Sequence, residues 1–120
     1  MLSTGQDVIT GMVRDPMFGP LMMFGSGGVE VEGLKDVSFA LAPLTMAEAE
    51  KMVESTWAGK KLHGFRSIPV SDRQAVIDTL VKLSRLADEC ESIAEMEINP
   101  LRVLAPGEGA FAVDVRFRLV

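Results

Sequence analysis

The chain has 120 residues, and its 12 Lys and Arg against 17 Asp and Glu give a net charge of -5. This length suits one domain, and 48% hydrophobic with 24% charged residues excludes collagen-like, low-complexity and wholly disordered chains. The acidic balance argues against a nucleic-acid partner, which would need a cationic surface. The single cysteine, Cys90, excludes an internal disulfide and favours a reducing, cytoplasmic location. No signal peptide or membrane-spanning run is recognisable, so we expect no membrane partner.

The first third of the chain predicts strands. Apolar or alternating runs that favour strands occur at residues 7–13, 21–24, 29–32 and 36–42. Breaks at Asp15-Pro16 and Gly19-Pro20 separate the first two runs.

The middle of the chain predicts two main helices. Thr45 and Glu48 have the spacing of a capping box, and so do Ser71 and Gln74, which makes Thr45 and Ser71 the expected N-caps. The second helix carries an apolar stripe. Its members are Val76, Ile77, Leu80, Leu83 and Ala87. Residues 57–70 between the helices are expected to be a short helix or irregular.

The last third returns to alternating apolar and polar residues, at 94–99 and 111–118. Each run predicts a strand with one solvated face and one buried face. The order of strands and helices predicts an α+β fold with a mostly antiparallel sheet, and residues 1–120 are expected to form a single domain.

Residues 105–108 predict a four-residue hairpin loop that joins the last two strands. If the hairpin is regular, Leu104 lies opposite Gly109. The same register gives three polar pairs: Glu95 with Arg118, Glu97 with Arg116, and Asn99 with Asp114. Opposed side chains have Cβ atoms about 4.5–5.5 Å apart, so these side chains should share one surface.

Glu97, Asn99 and Asp114 thereby form a candidate metal site. Two carboxylates and an amide oxygen suit Mg²⁺, which prefers few protein ligands together with phosphate oxygens. The alternative is a solvated sheet face, where Glu–Arg pairs are common and contribute little to stability. The sequence pattern alone leaves both interpretations open.

A glycine-rich segment, Gly25 to Gly28, has two interpretations. It could cradle a phosphate, although it lacks the P-loop spacing and leads into a predicted strand rather than a helix. The favoured interpretation from the residues alone is a hairpin turn.

Several ordered motifs resemble the ATP-grasp region of NDP-forming acyl-CoA synthetases, also called ADP-forming acetate–CoA ligases. They are residues 14–20, 23–28, 31–32, 34–37, 42–44, 64–66, 97–101 and 113–116. The segments 27–32 and 97–101 also resemble the succinyl-CoA synthetase β chain. The resemblance covers nearly the whole chain and implies the C-terminal lobe of an ATP-grasp fold.

The resemblance also implies roles for individual residues. Asn99 and Asp114 would be Mg²⁺ ligands on the phosphates of ATP or ADP, with Glu97 as a ligand or an orienting group. Arg14 would face the phosphates, and Arg116 would either do so or pair with Glu97. The residues expected close to the cofactor are Gly25, Gly27, Gly28 and Glu32.

The implied reaction converts acyl-CoA, phosphate and ADP to a carboxylic acid, CoA and ATP. The matched motifs belong to one lobe, so we expect the N-terminal lobe and the CoA-binding domains to lie outside residues 1–120. Catalysis would then require ATP together with an N-terminal lobe or a CoA-binding subunit as partner. The alternative function is a non-catalytic interaction module that forms a homodimer through its exposed cleft face.

Overall fold

The computed structural model of the chain describes residues 5–26 and 36–120. The strands are β1 (Gln6–Asp15), β2 (Gly19–Ser26), β3 (Val37–Leu41), β4 (Ile93–Val103), β5 (Ala110–Ala112) and β6 (Val115–Leu119). The helices are α1 (Met46–Glu54), α2 (Trp57–Lys61) and α3 (Arg73–Glu89). The predicted α+β class, with an antiparallel sheet and two main helices, is confirmed. The strand predicted at residues 29–32 lies outside the described residues.

The six strands form one antiparallel sheet. The order is β3-β2-β1-β4, after which β5 and β6 pair with successive parts of the same edge of β4. Helix α1 packs over β2 and β3, and α3 packs over β1, β2 and β4. None of the helices in the described residues has both the length and the apolar character needed to span a membrane.

The core lies between the sheet and the helices, because alternate strand residues face inward. The buried strand residues include Val8, Thr10, Met12, Met22, Phe24, Met96 and Ile98. From α3 the core receives Val76, Ile77, Leu80 and Ala87. Most of the predicted stripe is therefore buried, and Leu83 packs against the core while partly exposed.

The predicted N-cap is correct for α1 but not for α3. Thr45 and Glu48 form the predicted capping box of α1. The prediction of Ser71 as the cap of α3 is wrong, because Asp72 is the N-cap and accepts a hydrogen bond from Ala75 N. Ser71 is buried, and its hydroxyl accepts a hydrogen bond of 2.7 Å from Gln6 Nε2.

Strands β5 and β6 occupy the region predicted as one strand at residues 111–118, and they lack the buried face predicted for it. Val115 and Phe117 pair with Ile98 and Met96 of β4, yet they are 42% and 57% exposed. The reason is that α1 and α3 lie over the other strands of the sheet. Phe111 pairs with Arg102 rather than with a core residue.

Candidate functional site

The predicted hairpin register is present in the structure. Leu104 N donates to Gly109 O at 2.9 Å, and Asn99 N donates to Asp114 O at 3.0 Å. The pairs Glu95–Arg118 and Glu97–Arg116 are also found in β4 and β6. The alignment of opposed residues stays constant because the four-residue loop fixes it, although the second side of the hairpin is divided into β5 and β6 at Val113 and Asp114.

This register brings Glu97, Asn99 and Asp114 to one surface. Glu97 is half-buried, whereas Asn99 and Asp114 are exposed. The residues that alternate with Glu97 in β4, Met96 and Ile98, are buried on the opposite face. Backbone atoms of Asn99 and Asp114 are hydrogen bonded to each other, so their side chains start from directly opposed positions.

Arg116 lies on the same surface and pairs with Asp114. Its Nε is 3.8 Å from Asp114 Oδ2, and the two side chains are 78% and 56% exposed. A pair this long and this exposed is weak, so both side chains remain available to a ligand.

The chemistry of this donor set fits a magnesium ion that a phosphate also binds. Within residues 5–26 and 36–120, no group of three or more His, Cys, Asp or Glu is placed to hold a metal ion. Glu97 and Asp114 are two carboxylates that would need the Asn99 amide and oxygens from outside the protein. Mg²⁺ usually keeps water and phosphate oxygens among its ligands, and a sparse protein set of this kind suits it.

An open cavity of about 450 Å³ adjoins the polar surface. Its lining includes apolar residues of β1, β2 and β3, namely Val13, Met23 and Phe39. Its charged lining residues are Glu95, Glu97, Arg116 and Arg118. An apolar floor with charged groups at one side is the usual character of a small-molecule site, and the volume is in the range of such sites.

Arg14 is not brought to this surface. Its Nε donates to Ile93 O, and its Nη2 donates to Ala87 O and Cys90 O, at 2.9–3.0 Å. These carbonyls lie at the C-terminal end of α3 and the start of β4, where a cation also interacts favourably with the helix dipole. The described contacts give Arg14 a structural role on the helix side of the sheet.

Gly25 occupies a close contact between β2 and β3. A Cβ atom at this position would lie 2.2 Å from Asp36 O, so the approach of the two strands requires glycine. Gly27, Gly28 and Glu32, the other residues predicted to contact the cofactor, lie outside the described residues.

Asp36 binds the start of α2, a contact that was not predicted from the sequence. Its carboxylate accepts hydrogen bonds from Trp57 N and Ala58 N at 2.7 and 2.8 Å, and also from the Ser26 hydroxyl. Burial raises the pKa of the Asp36 carboxyl group. The hydrogen bonds from Ser26 and from the α2 backbone outweigh this effect and hold the pKa below its ordinary value of 3.8.

We expect Asp36→Ala to lower the free energy of unfolding by about 1 kcal/mol at pH 7, the usual cost of losing a helix cap. The pKa is lower in the folded state, so the carboxylate stabilises the fold above about pH 3.8. This contribution is lost as the pH falls through the folded-state pKa. Urea denaturation of the wild type and the variant should show that the difference in their free energies of unfolding becomes smaller as the pH is lowered from 7 to 3. A difference that stays constant would contradict the proposed ionic contribution.

A comparison with protein families identifies the fold. The model of the ATP-grasp domain family matches residues 1–119. The chain belongs to the ATP-grasp domain family. The family that its motifs resemble is therefore confirmed at the level of the domain.

Several similar proteins are ADP-forming ligases of archaea. This ATP-grasp chain is 45% identical over 120 residues to the acetate–CoA ligase (ADP-forming) I of Archaeoglobus fulgidus, covering 100% of the chain and 17% of that protein. It is 44% identical over 120 residues to the acetate–CoA ligase (ADP-forming) II subunit β of Pyrococcus furiosus, covering 99% of the chain and 51% of that protein.

A solved structure supports the same assignment. The dinucleotide-forming acetyl-coenzyme A synthetase 1 of Ca. Korarchaeum cryptofilum, in complex with coenzyme A and Mg-AMPPCP, has a TM-score of 0.89 and 44% identity. The match covers 97% of this chain and 54% of that one. The ATP-grasp chain thus spans about half the length of the β subunit and of this synthetase chain, and a smaller share of the single-chain ligase.

Proposed function

We propose that the ATP-grasp chain is the lobe that binds Mg²⁺ and the phosphates of ATP or ADP in an ADP-forming acyl-CoA synthetase. The enzyme would make acyl-CoA, ADP and phosphate from a carboxylic acid, CoA and ATP, or run in reverse. The observation that carries the proposal is the surface formed by Glu97 and Asn99 of β4 with Asp114, the residue that precedes β6.

Each residue of this surface would have a separate task. Asn99 and Asp114 would coordinate the metal, and Glu97 would coordinate it or orient it. Arg116, which is mostly exposed beside Asp114, would contact phosphate oxygens. Bound Mg²⁺ would supply positive charge that offsets the phosphates during phosphoryl transfer.

The remainder of the active site would come from other protein segments. The relatives include a subunit β, which implies a second subunit in that enzyme. We infer a comparable arrangement here, in which an N-terminal ATP-grasp lobe and a CoA-binding part complete the site.

The double variant Asn99→Ala/Asp114→Ala is expected to bind Mg·ATP at least about tenfold more weakly than the wild type, a loss of roughly 1.4 kcal/mol. The physical reason is the removal of two proposed ligands to the metal. Isothermal titration calorimetry with Mg·ATP measures the affinity. The matched control is Gln74→Ala/Asp78→Ala, which also removes an amide and a carboxylate that contact each other, but on α3. Equal affinities of all three proteins would favour the non-catalytic interaction module.

We expect the 120 residues by themselves to show no acyl-CoA synthetase turnover. The proposed site would supply groups for the phosphates and the metal only, and the chain spans about half of the Pyrococcus furiosus subunit β, so the rest of the active site would come from other segments. The assay is ADP formation from ATP, CoA and acetate. Turnover by the purified chain alone would overturn the division of the active site between lobes.

A further inference from the structure

Strand β6 has one edge that no other described strand covers. It pairs with β4 along one edge, and none of residues 5–26 and 36–120 forms a ladder with the other edge. All five of its residues are exposed. An exposed edge with free N–H and C=O groups is a template for another strand, and proteins usually protect such an edge.

The hydrogen-bond phase of the hairpin shows which backbone groups face outward. On either side of β6, Asp114 O accepts a hydrogen bond from Asn99 N and Val120 N donates to Ser92 O, so both residues direct backbone groups toward β4. Backbone groups alternate in direction along a strand, so Arg116 and Arg118, which lie between Asp114 and Val120 at a spacing of two, also direct their backbone groups toward β4. The N–H and C=O groups of Val115 and Phe117 therefore point to the free edge.

The side chains of β6 separate into two types. Val115, Phe117 and Leu119 are apolar and are 42%, 57% and 67% exposed, on the face that continues the core of the sheet. Arg116 and Arg118 occupy the other face, with side chains that are 78% and 62% exposed. A strand added at this edge would place one row of side chains beside the apolar residues and the other row beside the arginines.

The charges disfavour pairing with β6 of a second copy. In the antiparallel register that overlaps two β6 strands fully, Phe117 faces Phe117 of the second copy and each Arg116 faces an Arg118. Like charges directly opposite each other destabilise a sheet. An acidic residue of the added strand that lies opposite Arg118 would instead be attracted to it. Acidic and basic residues would then alternate from strand to strand, as they already do between Glu95 of β4 and Arg118 of β6.

We propose that β6 is a docking edge for an extended segment of a partner protein in which acidic and apolar residues alternate. The backbone of Val115 and Phe117 hydrogen bonds to the segment, its acidic side chains pair with Arg116 and Arg118, and its apolar side chains cover Phe117 and its neighbours. This mode of recognition combines main-chain affinity with side-chain selectivity. Arg116 is shared with the proposed phosphate contact, whereas Arg118, Val115 and Phe117 have no role in that proposed function.

The probe is the synthetic peptide acetyl-Gly-Val-Glu-Val-Glu-Val-Gly-amide, with a control peptide in which both Glu are replaced by Lys. Titrations of the 120-residue chain followed by NMR measure both affinities, and hydrogen exchange measures the amides. We expect the acidic peptide to bind at least about tenfold more tightly than the basic one, a difference of roughly 1.4 kcal/mol. It should slow the exchange of Val115 and Phe117, whose amides point outward, and leave Arg116 and Arg118 little changed.

Two matched controls make the result specific. The double variant Glu95→Arg/Arg118→Glu keeps the pair between these residues but reverses the charge at position 118, so its preference for the acidic peptide should fall. A peptide N-methylated on the residues that face β6 should not bind, because it lacks the donors. The proposal is overturned by equal affinities, by protection of β3 amides instead, or by self-association of the chain that protects Val115 and Phe117 without peptide.

Discussion

Gly59→Ala is expected to lower the free energy of unfolding by about 3 kcal/mol or more, at the upper end of the usual cost of overpacking. Gly59 is buried in α2, where a Cβ atom would lie 1.7 Å from Val53 O and 2.7 Å from Val53 Cγ1. The contact involves backbone at the end of α1, so α2 would have to move away. Urea denaturation at pH 7 measures the loss of unfolding free energy. The midpoint temperature of thermal unfolding, Tm, should fall by roughly 10 °C.

Gly5→Ala is the matched control for this substitution. The Cβ atom added there would be 2.7 Å from Arg102 Cγ, and a shift of this side chain would disturb only its surface ion pair with Asp7, which contributes little to stability. We expect Gly5→Ala to change the stability little. A similar loss in both variants would show that the effect comes from glycine replacement in general rather than from the contact with Val53.

Arg14→Met is expected to lower the free energy of unfolding by about 3 kcal/mol, since hydrogen bonds to charged groups are worth roughly 1.5–3 kcal/mol. The substitution leaves the carbonyls of Ala87, Cys90 and Ile93 without the guanidinium that now binds them. Urea denaturation measures the loss. Under conditions where the variant is folded, its affinity for Mg·ATP should equal that of the wild type.

Arg85→Met provides the control for charge, because Arg85 is exposed on α3. Its removal should change the stability by less than about 0.5 kcal/mol, as is usual for surface substitutions. The opposite pattern for Arg14→Met, full stability with weakened binding of Mg·ATP, would restore the phosphate-facing role that the resemblance implied for this residue.

The fold and the candidate metal site were predictable where the information is local. The loop at residues 105–108 and the alternation on both sides of it determine which residues face each other, so Asn99 and Asp114 could be paired from the sequence. The capping box at Thr45 is similarly local, because its partners are three residues apart.

The remaining contacts depend on which distant segments meet. Asp36 binds the first N–H group of a helix 21 residues away, and Arg14 binds carbonyls more than 70 residues away. No spacing rule could pair these residues. The predicted buried face of β6 failed for a related reason, since alternation shows that a strand has two faces but not whether a helix lies over one of them.

Asp72 joins the start of α3 to the loop of the hairpin. Its carboxylate accepts hydrogen bonds from Ala75 N in the helix and from Gly107 N and Gly109 N in the loop, and its own N–H donates to Leu104 O. The first helical turn and the loop consequently behave as one cooperative unit. Local opening of the loop would release the helix start as well, so the alignment of the proposed ligands is maintained by a residue that contacts none of them.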